Sequence, residues 1–216
     1  MDSYSKGYID ALVDAQSHID GYFFLEESLS PALLDAMQKV CPITPNQDGA
    51  ETLAYVYSHY FLGRRATALA RIDLLNKLSQ NFDVTVYTHA DCKDILPTAI
   101  YGGKIDYYDT MPTVFQHSKI NLNITLKTIQ TGIPLRAWDI LGCSGFLLTN
   151  FQQELCDFFI PGEDFVYYES PADAIEKAAY FLSHDRERQE IAHNAFEKIA
   201  ASHTFHHRVQ SMFDII

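Results

Sequence analysis

The sequence predicts an α/β fold, a mainly parallel sheet flanked by helices and preceded by an amino-terminal helical segment. Three observations lead there. From Val84 onward, short β-branched or apolar runs alternate with helical stretches, the pattern of βαβ units with right-handed crossovers. Gly145-Phe-Leu-Leu-Thr149 is almost wholly apolar, as a strand covered by helices on both faces has to be. Before Val84 the apolar spacing is helical.

The elements follow in order. Ile9, Leu12, Val13, Gln16 and Ile19 keep helical spacing until Gly21 breaks the run. Ser30-Pro31 supplies an N-cap and a first-turn proline for a short helix through Val40. Cys41-Pro-Ile-Thr-Pro-Asn-Gln-Asp-Gly49, with two prolines and a glycine, is the linker. Residues 1–48 are therefore expected to form a helical segment with its linker, and residues 49–216 the lobe. A helix from Ala50 to Leu62 ends at Gly63, and another from Thr67 to Leu78 places Leu69, Ile72, Leu75 and Leu78 on one face. A doubly wound lobe ordinarily begins with a strand, so either Ala54-Tyr-Val-Tyr57 is that strand or the chain lacks it.

Val84-Thr-Val-Tyr-Thr88 is a strand by its β-branched content, and Lys104-Ile-Asp-Tyr-Tyr108 is a shorter one. Met111 to His117 is a helix with Pro112 in its first turn. Ile120-Asn-Leu-Asn-Ile124 is a strand, Pro134 to Gly142 a helix, and Phe165-Val-Tyr-Tyr168 the last strand. Ser170-Pro171 caps a helix to Leu182, Asp185 opens another to Ala201, and Thr204 opens the last.

Composition narrows the function classes. A chain of 216 residues suits one ordinary domain, alone or with an appended helical segment. Its net charge of −12 argues against an extended nucleic-acid face, because neutralising phosphates needs clustered Lys and Arg. The same balance disfavours docking on an anionic membrane surface. The four cysteines form no CxxC pair, which leaves zinc and thioredoxin-like readings without support. No stretch approaches the roughly 18 consecutive apolar residues of a membrane span, and Met1 to Ser17 lacks the apolar run of a signal peptide. The expectation is a reducing, cytoplasmic setting with free thiols.

In an open parallel sheet, ligands sit beyond the carboxyl ends of the strands, near the point where strand order reverses. The loop after Ile124 runs Thr125-Leu-Lys-Thr-Ile-Gln-Thr-Gly-Ile-Pro-Leu-Arg136. Gly132 lets the backbone approach a ligand, and Pro134 presets the first helical turn. The free amides there, with the positive end of the helix dipole, make a seat for a phosphate. Lys127 and Arg136 can add charge to a pyrophosphate. Arg136 and Asp139 are spaced i, i+3, so Asp139 lies one turn deeper and can accept from both hydroxyls of a ribose. The plain alternative is an intrahelical ion pair contributing a few tenths of a kcal/mol. Asn121 and Asn123 alternate with Ile120, Leu122 and Ile124. Either Asn123, nearer the carboxyl end, helps organise the ligand loop, or both amides bond to neighbouring backbone.

Other polar or aromatic positions have simpler readings. His203, His206 and His207 have a spacing that can hold a metal, but no carboxylate or Cys shares their turn, so no metal site is expected. Tyr107 and Tyr108 either stack on a nucleobase or are half-buried packing. Trp138 reads as core, and Cys143 as a small residue at a helix end.

The run from Ser118 to Thr149 resembles the glycosyltransferase group 1 family in its spore-maturation-protein-like branch. Pro161-Gly-Glu-Asp-Phe-Val-Tyr-Tyr-Glu-Ser170 and His203-Thr-Phe-His-His-Arg208 are further matches, and the similarity covers most of the chain from Tyr55 onward. The resemblance implies a GT-B fold, of which this chain is the Rossmann-like carboxy-terminal lobe. It also implies a nucleotide-diphosphate sugar as donor substrate, no cofactor, and metal-independent transfer of the sugar to an acceptor. Asp139 stands where retaining members carry the second, ribose-binding glutamate of an acidic pair. The first falls at Thr131, which is not acidic and departs from the pattern. The family's pyrophosphate-clamping Arg and Lys have no clear counterpart, and Arg64, Arg65 and Arg71 are nearby candidates.

The expected donor-binding set is therefore Asp139, Arg136, Gly132, Thr131, Lys127 and Asn123, with no catalytic residue assigned. In such enzymes the acceptor lobe and any catalytic base lie in the amino-terminal half. The isolated chain is therefore expected to bind a nucleotide and to transfer little or no sugar, completed by an amino-terminal lobe or a partner chain. Two readings remain, the donor lobe of a retaining hexosyltransferase and a non-catalytic binding module.

Overall fold

The computed structural model describes residues 1–44 and 49–214, so residues 45–48 of the expected linker lie outside the described residues. Packing divides the chain into two compact units. One comprises Met1–Leu74 with Thr125–Gln130, the other Leu75–Ile124 with Thr131–Ile216.

The first unit is helical. Helix α1 (Ser3–Ser17) begins at Asp2, whose carboxylate accepts from the Ser5 amide at 2.9 Å. Helix α2 (Pro31–Val40) has the expected Ser30 cap and first-turn proline. Thr52 caps α3 (Leu53–Tyr55), and the chain continues as a π-helical segment, Val56–Leu62, into α4 (Gly63–Ser79). Ala54–Tyr57 is thus helical, and among the described residues no strand precedes Thr85. Gly63 does not break the helix. A Cβ there would lie 2.2 Å from Thr128 Cγ2, so the glycine makes room for close packing while the helix runs on. Ile9, Val13, Leu25, Leu29, Leu33, Met37, Tyr57, Leu62 and Ala66 form one buried cluster. That cluster draws residues from both sides of the Cys41–Gly49 stretch.

The second unit is α/β, with parallel sheets flanked by helices in the Rossmann-like manner. Strands β1 (Thr85–Tyr87) and β2 (Ile100–Gly103) form a parallel pair. A second parallel sheet has the order β3 (Asn121–Asn123), β4 (Leu147–Asn150), β5 (Val166–Tyr168). The helices are α5 (Met111–His117), α6 (Leu135–Gly142), α7 (Pro171–Ser183), α8 (Asp185–Ser202) and α9 (Phe205–Phe213). No helix among the described residues is long and apolar enough to cross a membrane.

The strand expected at Lys104–Tyr108 falls earlier, at Ile100–Gly103, and a turn occupies Tyr107–Thr110. Asp106 Oδ1 accepts from the amides of Tyr108 and Asp109, both at 2.8 Å. This local side-chain bonding overrides the β-propensity of Tyr107 and Tyr108. Strand β4 is buried along its whole length, as its apolar run requires. Below it, Ala137, Ile140 and Leu141 of α6 join Leu147, Leu155, Phe159, Phe165 and Ala195 in one core cluster. Fully burying Ile140 and Leu141 contributes about 1.5–3 kcal/mol each. That anchorage fixes which face of α6 turns outward, and Arg136 and Asp139 lie on it.

Candidate functional site

Helix α6 packs on β3 and β4, and its outward face carries the expected acid and cation. The Asp139 side chain is 24% exposed and that of Arg136 41%, with Arg136 Nη1 3.7 Å from Asp139 Oδ2. A second partner comes from the loop before α5, where the Tyr107 hydroxyl donates to Asp139 Oδ1 at 2.8 Å. This bond to an anion, followed by burial and by the Asp139 charge, holds the Tyr107 hydroxyl above its ordinary 10.0. Arg136 is steadied from α5. Its guanidinium contacts the Met111 thioether and lies 5.5 Å from the centre of the Phe115 ring.

The turn into α6 holds Gly132 at φ 97°, a left-handed conformation that only glycine adopts without strain. Its amide donates to the Glu154 carboxylate, which a short 3₁₀ helix, Gln153–Asp157, brings to the turn. Among the described residues no side chain caps α6, whose first residue follows Pro134. Thr131 is exposed beside Gly132. Asn123 is buried, and its amide donates to Thr149 Oγ1 at 3.0 Å, tying β3 to β4. Asn121 bonds backbone, donating to the Phe115 carbonyl at 2.9 Å.

Lys127 belongs to the first unit, whereas the other five expected site residues belong to the second. Its side chain is 5% exposed and its ammonium is held by Asp20 Oδ1 at 2.7 Å and the Ile19 carbonyl at 3.1 Å. The lysine expected beside a pyrophosphate thus has a carboxylate partner of its own. Arg65 pairs with Asp10 at 2.7 Å, and Arg64 lies 5.8 Å from the centre of the Tyr60 ring. Around α6, Trp138 packs edge-on against Phe158 and Phe159, with ring centres 5.8 and 5.4 Å away. Burial, then the charge on Asp139, raises the Cys143 thiol, away from the thiolate state a nucleophile needs.

One comparison with known proteins returns a match. The profile of a family described as glycosyl transferase-like matches residues 64–214, most of the chain. The chain belongs to the glycosyl transferase-like family. No curated protein and no solved structure matches it. In this glycosyl transferase-like chain the matched span takes in every strand among the described residues and the whole of α6.

Two participants were not picked out from sequence. The sequence offers Tyr107 as a stacking or a packing residue and not as a donor to Asp139, because 32 residues separate the two. Glu154 carries no local signal, and only the fold brings it to Gly132.

Proposed function

We propose that the second unit binds a nucleoside-diphosphate sugar. It would act as the donor lobe of a GT-B-type, metal-independent hexosyltransferase of the spore-maturation-like branch. The observation that carries this is the Asp139 carboxylate, partly exposed on α6, held by a tyrosine hydroxyl and one turn beyond Arg136. A carboxylate accepts from two vicinal hydroxyls at once, which is the demand a ribose makes. Arg136 presents a planar fork suited to phosphate oxygens. Main-chain amides of the Gly132 turn and the amino-terminal end of α6 supply further positive potential.

The chemistry asked of these groups is electrostatic. When the bond between the sugar's anomeric carbon and the diphosphate oxygen breaks, negative charge grows on the departing diphosphate. Arg136, and the Gly132 amide once the Glu154 carboxylate leaves it, would stabilise that charge. No catalytic base is assigned, and the acceptor is left open. Thr131, in place of an acid, favours a second reading in which the unit binds the nucleotide sugar without transferring it.

Melting the protein with UDP, GDP, ADP and TDP in turn tests the proposal. A ligand at about 100 times its Kd stabilises by near 2.7 kcal/mol. One diphosphate should stabilise the wild type and stabilise Asp139→Ala by no more than about half as much. An equal response of both proteins would move the site elsewhere. Incubation with the corresponding nucleotide sugar then separates the two readings, since release of free diphosphate requires the transferase or a hydrolytic side reaction of it.

A further inference from the structure

We propose that Tyr107 is a positioning residue for Asp139, keeping its carboxylate available to the ribose of a bound nucleoside diphosphate; this role rests on the donor-site reading above. Two groups compete for that carboxylate. Arg136 stands one helical turn away, and i, i+3 pairs of opposite charge attract each other weakly. Here the pair stays open at 3.7 Å, longer than a hydrogen bond. Tyr107 holds the other oxygen at 2.8 Å, while Arg136 is drawn against Met111 and the Phe115 ring of α5.

The tyrosine is itself fixed. Asp106 Oδ1 accepts from the Tyr108 and Asp109 amides, and the Asp106 carbonyl accepts from the Met111 amide at 2.9 Å. The turn that carries Tyr107 is thereby tied to the first turn of α5. A carboxylate has about four lone-pair positions, and a single tyrosine hydroxyl occupies one. The remaining ones suit the two donors of a ribose diol. Without the tyrosine hydroxyl, Asp139 is released toward Arg136, and the diol loses a positioned acceptor.

The distinguishing measurement is discrimination between ribose and 2′-deoxyribose. Kd is measured by calorimetry for UDP, GDP and ADP, each against its 2′-deoxy form, with the wild type, Tyr107→Phe and Asp139→Ala. A hydrogen bond to a charged acceptor corresponds to roughly tenfold in affinity or more, so the wild type should prefer the ribonucleotide by about that factor. Tyr107→Phe should bring the preference to within about twofold while the free protein still melts in a single cooperative transition. A role in packing alone would weaken both forms equally, and an unchanged ratio in Tyr107→Phe overturns the proposal. Where the wild type prefers ribose, Asp139→Ala abolishes the preference and Tyr107→Phe does not, the positioning role fails and the donor-site reading stands. Failure of the wild type to bind any of the three ribonucleotides overturns the reading and the positioning role together.

Discussion

Asp139 and Arg136 lie three residues apart, and that spacing made them legible together before any fold was known. Tyr107 was hidden as a partner because only tertiary packing closes the 32-residue separation. Lys127 shows the opposite case. A cation in a hydroxyl-rich loop suggests a phosphate ligand, yet its ammonium is paired with Asp20. His203 is a further local device. Its ring lies 5.4 Å from that of Trp138, and its Nδ1 faces Arg208 Nη2 at 2.9 Å. Burial first, then the Arg208 charge, pushes its pKa below the ordinary 6.5. The unfolded chain therefore takes up the proton at higher pH than the folded one, and stability is lost as pH falls below 6.5. Urea unfolding from about pH 7.5 to about pH 5 should show a smaller acid loss in His203→Gln than in the wild type. Parallel pH profiles would contradict the assignment.

At the scale of elements, the strands β3, β4 and β5 and the helices α5 to α9 stand close to where apolar period and capping residues put them. The exceptions have physical causes. Asp106 bonds its own neighbours and holds Tyr107 and Tyr108 in a turn, and Gly63 serves packing, not termination. Helix α6 depends on its inner face, where Leu141 is fully buried. Leu141→Ala should cost about 2–5 kcal/mol in denaturant unfolding; a loss below about 1 kcal/mol would mean that the cluster does not anchor the helix. The turn ahead of α6 makes a second demand. For the Gly132 amide to reach a phosphate, the Glu154 carboxylate has to leave it. Glutamine at 154 still accepts from that amide and carries no charge. Glu154→Gln is expected to tighten diphosphate binding about two- to fivefold, as removing a like charge from a partly exposed site does. Weaker binding by the variant would show that Glu154 supports the bound state.

On the scale of the whole molecule, the α/β class and parallel pairing were legible because alternation of strand and helix is a property of the chain read end to end. The division into units was less so. Thr125–Gln130 belongs with the amino-terminal helices, although it follows β3 directly in sequence. Local period cannot reveal such a return of the chain. Membership of the glycosyl transferase-like family rests on a match to residues 64–214, and the donor site proposed within that span rests on one carboxylate. The direct test is a calorimetric titration of the full chain with its stabilising nucleoside diphosphate, wild type against Asp139→Ala. A hydrogen-bonded charge at the ribose predicts at least about tenfold weaker binding by the variant; identical dissociation constants for the two proteins would contradict it.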